Sequence, residues 1–474
     1  MPGRFLSFFK PISRFLPEVS PPEKKPSFGA KLGWTAVALI VYLVMCEIPL
    51  YGIKRPGGAD PFLYMRVIFA SRRGTLMELG IGPIVTAGLV LQLLAASRLI
   101  ECDFTNPEDR ALFTAANKFL SLVLTAVNAL AYIIGGFYAG AKLDFTTSAV
   151  VFAQLLAAGM ILILLDEMIQ KGWGFGSGIS LFILAGVAQN VLWDTFNPIK
   201  VGDHLSHGAL IATFQAIKNK NWEALYNRQG YPTLVGLIST VAVFLTVIYM
   251  QGVRVEIPIS YARMRGFRGR YPISLLYISN IPVIFSSALF ANVYFFSQIL
   301  WRKYNQDHQI FWLDLLGWFE ETDGSVRPAG GLVYYLVAPR GLGEVLENPL
   351  RAIIYLIIMV VACGFFARLW LEVGGLDPET VARQLVDSGL QIPGFRRSYQ
   401  AVRKILERYI PTVTILGGII VGILAAISDF LGVFGTGTGI LLAVGIAYQY
   451  YQLLVRERVE ELHPGLAKLL GAAQ

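Results

Sequence analysis

Two histidines and two runs of alternating glycines are the residues of this sequence that most resemble chemical motifs. His204 and His207 have a spacing that permits a shared metal ion, but two histidines in a solvated loop usually bind none. The glycine runs at 172–178 and 435–439 do not follow a strand of a βαβ unit, so tight turns and close helix packing are favoured over phosphate binding. The chain also lacks the HExxH, GxSxG and GxxxxGKS/T patterns of common enzymes. The sequence therefore predicts no enzyme, no metal and no cofactor.

The composition is that of a membrane protein. Of the 474 residues, 55% are hydrophobic and only 15% are charged. A soluble chain has about 45–50% apolar and about 25% charged residues. The composition therefore indicates a polytopic membrane protein. The formal net charge of +8 is then better explained by basic cytoplasmic loops than by nucleic-acid binding.

Ten apolar segments approach the length of about 20 residues that crosses a bilayer as a helix. They lie at 33–50, 81–99, 111–138, 149–165, 179–192, 233–250, 281–300, 352–371, 410–427 and 439–454. Five precede and five follow a long connection at 195–231, which permits two inverted five-helix halves. No similarity between residues of the two halves supports this arrangement, so it rests on topology alone.

Basic residues predict the orientation and the segments of the chain. The loops at about 251–279 and 372–409 are rich in Arg and Lys, so they and both termini are expected in the cytoplasm. We predict an amphipathic segment at 1–30, a first half at 31–194, an external connection at 195–231, a second half at 232–455 and a tail at 456–474. The membrane is the cell membrane, or the endoplasmic reticulum if the source is eukaryotic.

The middles of the predicted spans contain almost no ionisable groups. Lys118 lies near a cytoplasmic end, where its side chain can reach the interface, and Asp166 and Asp429 lie at span ends. Ion-coupled transporters usually need an ionisable group inside the membrane. The pattern therefore argues against ordinary secondary transport.

One segment near residues 60–71 is too short to cross the membrane. A helix of about ten residues spans about 15 Å, which is half of a bilayer. It is either an interfacial loop helix or a re-entrant element inside a cavity, since irregular backbone at membrane depth needs protein or water around it. The residues alone leave both interpretations open.

Seven short motifs, in order along the chain, resemble one known family. They are FLPEV at 15–19, SRRGTL at 71–76, GIGPIVT at 80–86, LDE at 165–167, GSGIS at 176–180, YPI at 271–273 and SNIPVI at 279–284. The chain is similar over its whole length to the central subunit of the Sec protein-conducting channel, which comprises bacterial and archaeal SecY and the alpha subunit of the eukaryotic translocon. Residues 254–258 and 461–464 are most similar to the archaeal branch.

The resemblance implies an all-α integral membrane protein, with ten transmembrane helices in two inverted halves around a central pore. An aliphatic ring would close the pore, and such a constriction excludes water and ions. The ring would consist of Val85, Leu89, Ile183, Val187, Ile284 and Leu442. A re-entrant plug helix would consist of Asp60, Pro61, Phe62, Leu63, Tyr64, Met65, Arg66, Val67, Ile68, Phe69, Ala70 and Ser71.

The resemblance also implies a lateral gate and several partners. The second and seventh spans would form the gate, with a polar cluster of Thr86, Gln92, Asn128 and Asn292. The ribosome would dock on cytoplasmic basic residues through its RNA, and these would be Arg263, Arg265, Arg268, Arg270, Arg396, Arg397, Arg403 and Lys404. Signal sequences, nascent polypeptides and lipid would be further partners, together with small subunits of the SecE/gamma and Sec-beta/SecG types.

Two other functions remain in view at this point. A solute transporter with a re-entrant half-helix would share the topology but would need a polar pocket at mid-membrane. An intramembrane enzyme or assembly scaffold has less support, because no paired catalytic groups lie in the spans.

Overall fold

The computed structural model describes most of the chain. The described residues are 4–53, 66, 69–97, 99–100, 102, 106–135, 138, 144–200, 205–225, 228, 231–261, 268–276, 281–322, 325–339, 341–387, 390–391 and 399–462. Eight residues of the predicted plug lie outside them, namely Asp60, Pro61, Phe62, Leu63, Tyr64, Met65, Val67 and Ile68. So do four of the predicted docking arginines, Arg263, Arg265, Arg396 and Arg397.

Within these residues, nine helices are long and apolar enough to cross a membrane. They are α2 (Phe28–Glu47), α4 (Pro107–Ile134), α5 (Phe145–Met168), α6 (Gly178–Phe196), α8 (Leu234–Gly252), α9 (Ile281–Tyr304), α13 (Pro349–Val373), α15 (Tyr399–Phe430) and α16 (Gly437–Leu462). A tenth apolar helix, α3 (Gly82–Ala96), is shorter than the predicted span at 81–99. Its 15 residues cover about 22 Å, so α3 does not cross a full hydrocarbon core by itself.

The remaining elements are short. The helices are α1 (Arg4–Ser13), α7 (Ala209–Lys218), α10 (Phe311–Leu316), α11 (Gly331–Leu336), α12 (Gly341–Glu347) and α14 (Pro378–Asp387). The strands are β1 (Arg254–Tyr261), β2 (Arg268–Ser274), β3 (Trp318–Thr322), β4 (Ser325–Gly330) and β5 (Leu390–Gln391). A π-helical turn (Ile169–Trp173) follows α5 and a 3₁₀ turn (Glu223–Leu225) follows α7.

Local signals explain where several long helices begin. Ser27 and Thr233 precede α2 and α8, and their hydroxyl oxygens accept hydrogen bonds from the backbone N–H groups of Ala30 and Gly236. Asn106 does the same for Glu108 of α4, whose first residue is a proline. These side chains satisfy N–H groups that have no partner within the helix.

An irregular segment at 71–81 leads into α3 and lies inside the protein. Thr75, Met77 and Ile81 are almost fully buried. The backbone at 48–50 pairs with the backbone at 74–76 through two hydrogen bonds of 3.0 Å, which satisfies polar groups that lipid could not. Gly80 has a φ of +53°, and a Cβ atom there would lie 2.1 Å from the carbonyl oxygen of Phe69, so only glycine fits.

Two small sheets were not predicted. Strands β2, β1 and β5 form an antiparallel sheet in that order, and β3 pairs with β4. The first sheet joins the two predicted cytoplasmic loops, because Ser260 and Tyr261 of β1 pair with the residues of β5. Polar and apolar residues alternate along β1, which is the pattern typical of a strand.

Helix α15 begins at Tyr399, whereas we predicted a loop until 409. Its first turns are polar, yet Val402, Leu406 and Ile410 recur at helical spacing. These side chains are buried in a separate hydrophobic cluster with Ile257 and Ile273 of the hairpin and with residues of α14. Packing against this cluster explains why the helix extends beyond the membrane-spanning part.

Helices α13 and α15 approach each other closely through glycines. A Cβ atom on Gly418 would lie 2.7 Å from the Cβ of Ala367, and one on Gly422 would lie 3.0 Å from the Cα of Val360. This is the close approach that small residues four apart permit between membrane helices.

We expect Gly418→Leu to destabilise the fold by about 1–3 kcal/mol, because the added side chain forces the two helices apart. The measurement is the temperature at which the detergent-solubilised protein loses its monodisperse peak in size-exclusion chromatography. Gly33→Leu in α2 is the matched control, since no described atom lies within 4 Å of its Cβ position. Equal losses for both variants would contradict the packing argument.

Candidate functional site

The six predicted ring residues lie on four helices. Helix α3 carries Val85 and Leu89, α6 carries Ile183 and Val187, α9 carries Ile284 and α16 carries Leu442. Four of them, Val85, Ile183, Val187 and Leu442, belong to one buried hydrophobic cluster, against which the half-buried Ile284 packs. Leu89 lies instead in a smaller cluster with Phe285 and Phe366, which Ile284 also borders. The structure thus places five of the six side chains in or against the same extended hydrophobic core, and Leu89 in a neighbouring cluster.

The end of the predicted plug segment packs against the ring helices. Phe69 and Ala70 are buried, and the hydroxyl of Tyr42 donates a hydrogen bond of 3.0 Å to the carbonyl oxygen of Ala70. The N–H of Ile81 donates to the carbonyl of Phe69 at 2.8 Å. A Cβ atom on Gly186, one residue before Val187 in α6, would lie 3.6 Å from Ala70. This short stretch therefore lies directly beside the aliphatic cluster.

A buried ion pair next to this stretch was missed by sequence reasoning. Nη2 of Arg66 lies 2.6 Å from Oε1 of Glu78, and the two side chains are 7% and 2% exposed. The second carboxylate oxygen of Glu78 accepts from the backbone N–H of Gly74. Because Glu78 lies between two predicted spans, nothing in the sequence pattern indicated that it is buried. The pair ties the predicted plug to the segment that leads into α3.

The predicted gate residues form a polar seam between α3 and α9. Nδ2 of Asn292 donates to Oγ1 of Thr86 at 3.0 Å. Asn128 of α4 and Asn292 line a small cavity of about 30 Å³, which is large enough to hold water and is also lined by Arg66 and Glu78. Gln92 lies on α3, six residues after Thr86, and its buried Oε1 has no hydrogen-bond partner among the residues that the structure describes.

Four of the predicted docking residues lie in described parts of the chain. Arg270 and Lys404 are exposed, and Arg403 is partly exposed. Arg270 lies 2.5 Å from Glu256, and the hydrogen bond from its guanidinium lowers the pKa of that carboxyl. Arg403 donates to Glu407 at 2.7 Å. Arg268 lies on β2, which places its backbone on the same sheet.

A second charged network lies at the predicted cytoplasmic ends of α4 and α5. Lys118 lies 2.9 Å from Glu167 and donates at 3.0 Å to the carbonyl of Pro17, so it forms an ion pair rather than extending to the interface as expected. Lys171 pairs with Glu167 and with Glu18, and the hydrogen bond from Lys171 lowers the pKa of Glu18. The network fixes the FLPEV motif against the helices.

Comparison with known proteins identifies the class. Residues 75–451 match the SecY family model, and residues 40–74 match the model of the plug domain of Sec61p. A structure described as a protein-conducting channel is 39% identical, with a TM-score of 0.80 and coverage of 97% of this chain and 99% of that one. Another, described as a SecY protein whose plug domain stabilises the closed state, is 39% identical with a TM-score of 0.79 and the same coverage. Sec61 from the canine ribosome–channel complex of the endoplasmic reticulum is 38% identical, with a TM-score of 0.78 and the same coverage.

Fold, site and comparisons together define a multi-pass membrane channel for proteins. The chain belongs to the SecY family and is the pore subunit of a protein translocation channel. The family consists of channels rather than enzymes, and the transporter interpretation is set aside.

We expect Glu78→Gln to destabilise the channel by about 3–5 kcal/mol, because it leaves the buried Arg66 without its carboxylate. The double variant Arg66→Met/Glu78→Gln removes both charges and should recover most of that loss. The measurement is the thermal midpoint of the purified channel in detergent.

The exposed pair Lys10–Glu108, whose side chains are 62% and 54% exposed, supplies the control. Glu108→Gln should change stability by about 0–1 kcal/mol. A double variant as unstable as Glu78→Gln alone would show that the pair is not the cause.

Proposed function

We propose that unfolded polypeptides cross the membrane through a constriction formed by Val85, Leu89, Ile183, Val187, Ile284 and Leu442. The observation that supports this assignment is that α3, α6, α9 and α16 each contribute a buried or half-buried aliphatic side chain to the same hydrophobic core. Aliphatic side chains offer no fixed hydrogen bonds, so the constriction excludes water at rest and accepts chains of any sequence.

The seam between α3 and α9 is proposed as the lateral gate, through which signal sequences and transmembrane segments reach lipid. Thr86 and Asn292 support this role, because a single hydrogen bond holds them. Interhelical hydrogen bonds in membranes typically contribute about 1 kcal/mol, which an apolar signal helix can replace by packing. Asn128 and Gln92 complete the proposed polar lining.

The segment at about 60–71 is proposed as the plug of the resting channel. The buried positions of Phe69 and Ala70, and the Arg66–Glu78 pair, support a seat beside the constriction. The related SecY structure whose plug domain is described as stabilising the closed state supports the same role.

The cytoplasmic sheet and the start of α15 are proposed as the ribosome-docking surface. A related canine Sec61 is described in a ribosome–channel complex. Arginine binds RNA phosphate well, and exposed ion pairs such as Arg270–Glu256 are weak enough to exchange for phosphate. All eight predicted basic residues lie on the two loops that this sheet joins. We propose that both termini lie on this same cytoplasmic side.

The two halves at 31–194 and 232–455 are proposed to enclose the pore, with small subunits of the SecE/gamma and Sec-beta/SecG types at their outer faces. Large apolar side chains on the outside of α8, including Ile238 and Leu245, are exposed in the isolated chain. Lipid or single-span partners would cover such faces.

Replacing the ring residues tests the constriction. Ile183→Asn, Ile284→Asn and Leu442→Asn should each raise the resting ion conductance of the reconstituted channel roughly tenfold, because a polar side chain keeps the constriction hydrated. Planar-bilayer recording measures the conductance. Ile238→Asn on the exposed face of α8 is the control, and wild-type conductance in all three ring variants would overturn the assignment.

Charge reversal tests the docking surface. Arg403→Glu/Lys404→Glu should weaken ribosome binding about tenfold and reduce the slope of log affinity against log salt by about one per lost phosphate contact. Cosedimentation with ribosomes over a salt series measures both. Arg302→Glu/Lys303→Glu at the other end of the membrane span α9 is the matched control. Equal effects of both double variants would point to net charge instead of a docking site.

A further inference from the structure

In each half of the chain, a turn joins the last two long helices, α5 to α6 in the first half and α15 to α16 in the second. We call each turn a corner, and the two corners contain the same kinds of contact. In the first half, Asp166 near the end of α5 accepts a hydrogen bond of 3.1 Å at Oδ1 from the N–H of Ile179 in α6. In the second half, Asp429 near the end of α15 accepts one of 2.7 Å at Oδ1 from the N–H of Gly437, the first residue of α16. The residues are only 9% and 6% exposed.

The second oxygen of each aspartate is also held. Nε2 of Gln170 donates to Oδ2 of Asp166 at 2.7 Å, and the hydroxyl of Tyr355 donates to Oδ2 of Asp429 at 3.1 Å. A carboxylate at a helix N-terminus satisfies unpaired N–H groups and opposes the positive end of the helix dipole. Here the carboxylate comes from the preceding helix, so the bond also fixes the second helix relative to the first.

Glycine is required at the same place in both corners. Gly178 and Gly437 are the first residues of α6 and α16. A Cβ atom on Gly178 would lie 2.7 Å from the Cα of Asp166, and one on Gly437 would lie 2.4 Å from the backbone nitrogen of Asp429. Each corner therefore depends on a direct contact between the aspartate's backbone and the next helix.

Helices α6 and α16 lie antiparallel, and each corner contacts the other helix. The hydroxyl of Tyr450 in α16 donates to the carbonyl of Ser177 at 2.8 Å, next to the start of α6. At the other end, a Cβ atom on Gly435, just before α16, would lie 3.5 Å from Val187 of α6. The two corners thus lie at opposite ends of a shared stretch, which runs from Gly178 to Val187 on α6 and from Gly437 to Tyr450 on α16.

The proposed ring residues occupy equivalent positions between these ends. Ile183 is the fifth residue after Gly178, and Leu442 is the fifth after Gly437. Five residues advance a helix by about 7.5 Å. Since the helices run in opposite directions, Ile183 lies between Gly178 and Val187, the residue beside the second corner, and Leu442 lies between Gly437 and Tyr450, the residue beside the first corner. The two side chains are 1% and 0% exposed.

We propose that Asp166 and Asp429 are positioning residues that bring Ile183 and Leu442 to the same depth in the constriction. This inference rests on the ring assigned above. Loss of either acceptor leaves N–H groups unpaired in a buried site, which shifts or frays the helix start. A shift of one residue moves the ring side chain by about 1.5 Å along the helix and rotates it by about 100°.

The experiment compares three substitutions at each aspartate by planar-bilayer recording of the reconstituted channel. Asp166→Asn and Asp429→Asn retain the Oδ1 acceptor, and Gln170 or Tyr355 can offer an oxygen to the new amide, so conductance should stay near the wild-type level. Asp166→Glu and Asp429→Glu keep the charge but move the acceptor by one methylene, so they should leak. Asp166→Ala and Asp429→Ala should leak most, approaching Ile183→Asn and Leu442→Asn.

Asp144→Ala is the control, since Asp144 is an exposed aspartate just before α5 that contacts Thr146. A conductance that increases from the asparagine to the glutamate to the alanine variants supports the positioning role. Where an alanine variant fails to assemble, the comparison of the asparagine and glutamate variants decides. Asparagine variants as leaky as the glutamate or alanine variants would overturn the proposal, as would leak in the control. If Ile183→Asn and Leu442→Asn raise the conductance but the glutamate and alanine variants keep the wild-type level, the positioning proposal is overturned. If Ile183→Asn and Leu442→Asn themselves keep the wild-type level, the ring assignment is rejected.

Discussion

The hydrocarbon core cannot solvate polar groups, and this constraint determines how the polar parts of the chain are arranged. Irregular backbone at membrane depth is possible only where protein encloses it. The segment at 71–81 meets this condition through hydrogen bonds to residues 48–50 and through the Arg66–Glu78 pair. The described acids Glu78, Asp166 and Asp429, which are buried near the aliphatic core, each accept a hydrogen bond from a named partner, as the proposed aliphatic seal requires.

The sheet of β1, β2 and β5 and the helices packed on it, which we propose to lie in the cytoplasm, follow different rules, because water would surround them. The hairpin of β1 and β2, helix α14 and the first turns of α15 share a small hydrophobic cluster. Its surface carries ion pairs such as Arg383–Glu379 and Arg403–Glu407, which lie within one helical turn and are partly exposed. Such pairs contribute at most about 1 kcal/mol, so they orient the basic side chains without withholding them from a polyanionic partner.

Much of the fold could be predicted from the sequence, because apolar length and basic loops are local signals. The long helices lie where apolar stretches indicated them, and the family motifs indicated the ring, plug and gate. The hairpin of β1 and β2 was missed although polar and apolar residues alternate along β1, and the pairing of β1 with β5 was not predicted because these segments are more than 100 residues apart. The two corner aspartates were visible as residues at span ends, whereas Glu78 lies between two predicted spans. The partners of all three are set by tertiary contacts that no spacing rule encodes.

The contrast between local sequence signals and tertiary contacts also applies to the arrangement of the chain in two halves. The topology suggested this arrangement, but comparison of residues between the halves could not support it. The corners differ in spacing, because Asp166 precedes Gly178 by twelve residues and Asp429 precedes Gly437 by eight. A linear alignment therefore cannot match aspartate and glycine at once, although their hydrogen bonds are equivalent in space. The corners stabilise the α6–α16 side of the proposed pore, because each aspartate accepts hydrogen bonds at both carboxylate oxygens. On the α3–α9 side, the Thr86–Asn292 hydrogen bond lies beside a cavity among the described residues, which fits the proposal that this side opens while the α6–α16 side maintains the proposed ring.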